Sequence, residues 1–141
     1  MKNGIVRAVV VATCVLVAVG FAGCQKSYVK AMDDVFNNLD LQKNTRLHVE
    51  EYWKTVNNQE HSCEGMVVDV QRDRGGAEVL VAVPSRITFR DYNVILTVPD
   101  VTVAADLKRR QTIRFKGVLA SYRAGRDGGV ILTLRGVEIL K

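Results

Sequence analysis

The side chains best suited to binding chemistry are arginines in or beside predicted turns and loops. The guanidinium group of arginine can hold a phosphate or carboxylate through two parallel hydrogen bonds. Six arginines and one tyrosine are the candidate ligand-binding residues: Arg72, Arg74, Arg86, Arg90, Tyr92, Arg123 and Arg126. Two of the turns also carry an aspartate, Asp73 or Asp127. Solvated turns with local ion pairs are therefore the simpler interpretation of this pattern.

Catalytic chemistry has little support in the sequence. The histidines are His48 and His61, and His61-Ser62-Cys63-Glu64 is the one cluster that combines a base, a hydroxyl, a thiol and a carboxylate. Side chains alternate between the faces of a strand, so His61 and Cys63 can align while Ser62 cannot join them. Two ligands are too few for a zinc site, and the glycine turns lack the residues of a phosphate-binding loop. We therefore predict no enzyme activity, no metal site and no cofactor.

The N-terminal segment has the three-part layout of a secretory signal. Lys2 and Arg7 precede an uncharged apolar run over 8–22, and Gly23 and Cys24 follow its last residues, Phe21 and Ala22. A cysteine directly after Ala-Gly resembles the lipobox of bacterial lipoproteins. That resemblance implies a signal peptide over 1–23, removed by cleavage, and a mature chain anchored by acyl chains on Cys24. Two alternatives stay open: an uncleaved spanning helix, although about 15 residues fall short of the ~20 that cross a bilayer core, and an ordinary secretory signal.

The residues around the anchor bear on location and on cysteine chemistry. Gln25, and not Asp, follows Cys24, and in lipoproteins of two-membrane envelopes this implies the outer membrane, with the protein facing the periplasm. Cleavage would remove Cys14, which leaves Cys63 with no partner for an internal disulfide. We expect Cys63 to be a small buried apolar residue.

The mature chain divides by periodicity into a helical front, residues 24–61, and a strand-rich back, residues 62–141. Apolar positions at helical spacing predict one helix over 27–39 and a second whose apolar side carries Val49, Tyr52, Trp53 and Val56. Thr45 or Asn44 is placed to cap the second helix. We expect both helices to pack on the domain behind them. The alternation of apolar and polar residues predicts five strands, Glu64–Gln71, Glu78–Val83, Tyr92–Val98, Thr112–Tyr122 and Val130–Leu140, with a helical stretch at Val103–Arg110.

Five strands with a short helix between the third and fourth are typical of the OB-fold, a small Greek-key barrel. We therefore predict a mainly β, α+β protein with a five-stranded OB-fold barrel. The strand Glu64–Gln71, and the run Asp106–Arg110 leading into Thr112–Gly117, resemble bacterial OB-fold proteins of the tRNA-anticodon-binding-like group. The resemblance spans about residues 60–141. Glycines inside the predicted strands, at 65, 117 and 136, suit the bulges and the sharp coiling of such a barrel.

Two functions fit this domain organisation. We favour a lipid-anchored, non-catalytic binding or structural module that docks an envelope protein or a glycan. The alternative is a binder of an anionic polymer, either nucleic acid or an acidic envelope polymer, held by the arginine-bearing barrel loops. Single-strand binders need aromatic platforms, and the candidates here are few: Phe89, Tyr92 and Tyr122. We therefore do not expect nucleic acid to be the partner.

Overall fold

The computed structural model describes residues 32–84 and 90–140 of the 141-residue chain. The predicted signal peptide, the lipidation site Cys24, and the candidates Arg86 and Phe89 lie outside the described residues. Residues 32–39 are helical and are called α1. The elements that follow are α2 Arg46–Val56, β1 Glu60–Asp73, β2 Gly76–Ala82, β3 Val94–Val98, α3 Val101–Ala105, β4 Thr112–Ala124 and β5 Val130–Leu140.

The five strands form a closed barrel in the order β1-β2-β3-β5-β4. All neighbouring pairs are antiparallel except β3 and β5, which run parallel. The 14-residue β1 closes the barrel because its first half pairs with β4 and its second half pairs with β2. This strand order, with α3 between the third and fourth strands, confirms the predicted OB-fold barrel.

A bulge between β4 and β5 bends the barrel wall at two of the predicted glycines. The register shifts between Lys116 and Val118, beside Gly117, and Gly136 has a φ of +59°. A glycine in the left-handed region is the usual centre of such a bulge, because it carries no Cβ. Gly65 lies outside this bulge. It pairs regularly with Ile113, and a Cβ there would collide with Val81.

The helices and the barrel share one hydrophobic core. Six apolar residues of α1 and α2 belong to the same buried cluster as the inward side chains of the strands: Met32, Val35, Phe36, Leu39, Val49 and Val56. Trp53 of α2 packs against Tyr122 of β4, with ring centroids 4.7 Å apart. Thr45 caps α2 by accepting a hydrogen bond from the backbone N–H of His48. The predicted packing of the helical segment on the barrel is confirmed.

Most element predictions agree with the structure, and the differences lie at element ends. β5 has the predicted bounds, whereas β1 begins four residues earlier than predicted, at Glu60. The helix predicted over 103–110 lies instead at Val101–Ala105, because Asp100 caps it at its N-terminus. Within the described ranges 32–84 and 90–140, no helix is long and apolar enough to cross a membrane.

Candidate ligand-binding surface

A cavity of about 550 Å³ opens on the outer side of the barrel wall, beside the β1–β2 pair. We call it the Tyr92 cavity. Four segments that are distant in sequence contribute its lining residues, which are Val68, Asp69, Leu80, Arg90, Asp91, Tyr92 and Arg109. Its volume falls within the range of ligand sites, roughly 300–1,000 Å³. The cavity combines an apolar floor with two cationic and two anionic side chains.

Val68 at the bulge in β1 and Leu80 on the outer face of β2 form the floor of this cavity. The β1–β2 register shifts between Val67 and Asp69, and Asp69 then pairs with Leu80. Val79 and Val81 belong to the barrel core, so the intervening Leu80 points to the outer face. Leu80 is nevertheless only 7% exposed. An outward leucine that is nearly buried indicates that neighbouring groups shelter this part of the wall.

The Asn93 side chain fixes the segment that carries Arg90 and Tyr92. Asn93 is 2% exposed. Its Oδ1 accepts a hydrogen bond from the N–H of Val83 at 2.7 Å, and its Nδ2 donates to the carbonyl of Val83 at 2.8 Å. Its own carbonyl accepts from the N–H of Leu132 at 2.9 Å. The residues entering β3 are thus tied to the end of β2 and to β5.

The turn between α3 and β4 places Arg109 at the other side of the cavity. Arg110 has a φ of +65°, and its N–H donates to the carbonyl of Val67 at 2.8 Å. Nη2 of Arg109 donates to Oδ1 of Asp69 at 3.0 Å. This hydrogen bond lowers the pKa of Asp69 below its usual value, and a hydrogen bond from the Gln71 side chain makes a smaller contribution in the same direction. Asp69 therefore stays ionised at neutral pH.

The structure brings some predicted site residues together and separates others. Nη1 of Arg90 donates to the hydroxyl of Tyr92 at 3.2 Å, and its guanidinium carbon lies 5.9 Å from the centre of the Tyr92 ring. Arg72 and Arg123 lie in the strands β1 and β4, and not in the loops to which they were assigned, while Arg74 and Arg126 are in turns.

The two arginine-bearing hairpins lie at opposite ends of β3. The β1–β2 turn lies beside the end of β3, because Ala77 pairs with Val98. The β4–β5 turn lies beside the start of β3, because Val94 pairs with Leu132 on the parallel β5. At ~3.3 Å per residue, the hairpins are at least about 13 Å apart along the strand. A ligand that contacts all four arginines must therefore reach across both ends of β3.

Sequence reasoning missed five residues of the Tyr92 cavity: Val68, Asp69, Leu80, Asp91 and Arg109. Arg109 was noted only as part of the run that resembles the OB-fold group. Its partner Asp69 lies 40 positions earlier in the chain. An isolated ion pair of this kind leaves no periodic signal in the sequence.

The His61-Cys63 cluster does not form a reactive centre. Cys63 is buried, as expected, and its thiol is free among the described residues; burial raises its pKa to about 11. A thiol with that pKa is protonated at neutral pH and is a poor nucleophile. Burial also lowers the pKa of His61, whose Nε2 has no hydrogen-bond partner in the part of the chain that the structure describes. Over the same part, no three His, Cys, Asp or Glu residues are grouped to hold a metal ion.

Comparison with known proteins finds similar barrels and no sequence relative. No protein-family model matches the chain. No curated protein sequence matches it either. One similar solved structure is a lipoprotein from Klebsiella pneumoniae subsp. pneumoniae, for which nucleic acid binding is inferred. Its sequence is 12% identical to this chain, and the superposition has a TM-score of 0.46 and covers 64% of this chain and 77% of the lipoprotein.

Two further solved structures are similar to this chain. An OBody bound to hen egg-white lysozyme is 19% identical, with a TM-score of 0.40 over 62% of this chain and 80% of its own. Pot1pC of Schizosaccharomyces pombe, bound to single-stranded DNA, is 12% identical, with a TM-score of 0.35 over 60% of this chain and 81% of its own. At this identity the likeness concerns the barrel fold alone. The expectation that nucleic acid is not the partner stays a prediction.

Proposed function

We propose that this protein is a non-catalytic binding module of the cell envelope, which docks a protein or glycan partner through the Tyr92 cavity. One observation carries the proposal: β1, β2, the segment entering β3 and the α3–β4 turn converge on one cavity of ligand size. Apolar lining with a few polar groups is typical of ligand sites. The outer face around the second and third strands is also where OB-folds bind their ligands.

A photo-crosslinking amino acid at position 92 tests the docking surface. We expect it to label a specific partner in intact cells, because the Tyr92 side chain lines the cavity. The same amino acid in place of Leu47 is the control, since Leu47 is 68% exposed and lies on α2. Equal labelling from both positions would contradict the proposal.

We propose further that acyl chains on Cys24 hold this module at the outer membrane, on the periplasmic side. The support is the sequence Ala22-Gly23-Cys24 after an apolar run. More than one acyl chain on one residue gives durable anchoring, because each buried methylene contributes ~0.8 kcal/mol. Cys24→Ser should abolish labelling by a fatty-acid analogue and leave the precursor uncut, whereas Cys63→Ser should leave both steps unchanged. A normally processed Cys24→Ser protein would contradict the anchor.

An anionic polymer is the second candidate partner, favoured by four exposed arginines at the two ends of β3: Arg72, Arg74, Arg123 and Arg126. A polymer, unlike a small ligand, could span both ends. Joint replacement of the four by Gln should then weaken polyanion binding, and binding by the native protein should fall steeply as salt rises. Unaltered binding in the quadruple variant would exclude this alternative.

A further inference from the structure

The charges lining the Tyr92 cavity are balanced, and this restricts its ligand. Arg90 and Arg109 face the same cavity as Asp69 and Asp91. Asp69 is ionised and accepts a hydrogen bond from Arg109 at 3.0 Å. A polyphosphate or sulfated chain entering this space would approach two carboxylates as well as two guanidinium groups. The cavity therefore offers a polyanion little net attraction.

The hydrogen-bonding groups of the cavity suit hydroxyl groups. Carboxylates only accept hydrogen bonds and guanidinium groups only donate them, whereas a hydroxyl does both. Arg109 contacts Asp69 through Nη2, and Arg90 contacts Tyr92 through Nη1. Each guanidinium group has five N–H donors, so donors remain for a ligand. A ligand with several hydroxyls can then bridge the cationic and anionic sides.

The apolar part of the cavity suits a flat C–H surface. Val68 and Leu80 form its floor, and the half-buried ring of Tyr92 stands beside them. Aromatic side chains combine large contact area with a polar end, and they lose little conformational entropy on binding. A pyranose ring has a matching pair of features, because its C–H groups form an apolar face and its hydroxyls form the rim.

We propose that the Tyr92 cavity binds a neutral oligosaccharide, with the sugar ring against Tyr92 and Val68 and the hydroxyls bonded to Asp69, Asp91 and Arg109. This inference rests on the proposed binding function and specifies its ligand. The cavity, at about 550 Å³, has a size appropriate to a short stretch of glycan.

The test uses the full-length, processed protein in detergent and an array of neutral, carboxylated and sulfated oligosaccharides, with a single-stranded DNA 10-mer included. We expect binding to neutral glycans, with a Kd that changes less than about twofold between 50 and 500 mM NaCl because no counterions are released. Binding only to sulfated glycans or DNA, with an affinity that falls as salt rises, would overturn the inference.

Paired variants locate the binding at this cavity. Tyr92→Ala should weaken neutral-glycan binding at least about tenfold, whereas Tyr92→Phe, which keeps the ring, should weaken it less than about threefold. Arg109→Gln should weaken binding about tenfold, and Arg126→Gln, an exposed arginine of the β4–β5 turn, should leave it unchanged. Circular dichroism confirms that each variant is folded. Equal effects of Arg109→Gln and Arg126→Gln would overturn the inference.

These experiments distinguish a failure of the glycan inference from a failure of the proposed docking function. If no glycan binds, but the crosslinker at position 92 labels a defined protein in cells, the glycan inference is wrong while the proposed docking function stands. If no glycan binds and position 92 labels nothing beyond the Leu47 control, the proposed function is wrong as well.

Discussion

Replacement of the buried Asn93 by Ala should strongly destabilise the barrel. The side chain makes two hydrogen bonds to the backbone of Val83, at 2.7 and 2.8 Å, and both residues are nearly inaccessible to solvent, at 2% and 3% exposure. Asn93→Ala leaves one buried N–H and one buried carbonyl without these partners. Each unsatisfied backbone group costs about 1–3 kcal/mol of stability. We therefore expect the free energy of unfolding to fall by roughly 2–6 kcal/mol.

Urea unfolding measured by circular dichroism tests this magnitude. A loss of that size is a large part of the ~5–15 kcal/mol that stabilises a typical domain, and it should lower the Tm by about 10 °C or more. Asn57→Ala is the matched control, because Asn57 is exposed at the end of α2 and should change stability by less than about 0.5 kcal/mol. A loss below about 1 kcal/mol for Asn93→Ala would refute the reasoning.

Three further predictions concern stability. Burial lowers the pKa of His61, so the unfolded chain takes up a proton at higher pH than the folded one, and native stability should fall as pH drops from about 7 to 5. The slope of stability against pH should be shallower in His61→Gln, and an unchanged slope would contradict the assignment. Leu119→Ala in the core should lower the free energy of unfolding by about 2–5 kcal/mol. Leu47 is 68% exposed, so Leu47→Ala should lower it by less than about 0.5 kcal/mol in the same urea titration. Gly136 and Gly75 both have open space for a Cβ, but Gly136 has a φ of +59°; Gly136→Ala should therefore lower stability by about 1–2 kcal/mol relative to Gly75→Ala, and equal thermal midpoints would argue against backbone strain.

Local chemistry explains why much of the barrel was predictable from the sequence. Alternation along β4 placed Ile113, Phe115 and Leu119 on the core side, and all three are buried there. Thr45 and Asn44 were the two predicted caps of α2, because capping depends on residues within one turn, and the structure shows that Thr45 is the cap. The short helix was misplaced because Val103–Arg110 has helical spacing, whereas the capping side chain of Asp100 sets the true start.

The candidate site was only partly predictable. Arg90 and Tyr92 were identified because they are close in sequence and their side chains have evident binding chemistry. Arg109 and Asp69 were not identified, because their contact depends on a bulge in β1 and on a turn 40 positions later. The four hairpin arginines looked equivalent in the sequence, yet the parallel β3–β5 pairing puts them at opposite ends of one strand.

The amino-acid sequence by itself determined the strand-rich barrel and the helices that pack on it, because these depend on periodicity and on short local motifs. The signal and the anchor stay predictions from such motifs. Only the tertiary structure decided which side chains share the Tyr92 cavity and which of its charges offset one another. The physical reason is that strand register and barrel closure join residues that are distant in the chain, and no local pattern specifies those contacts.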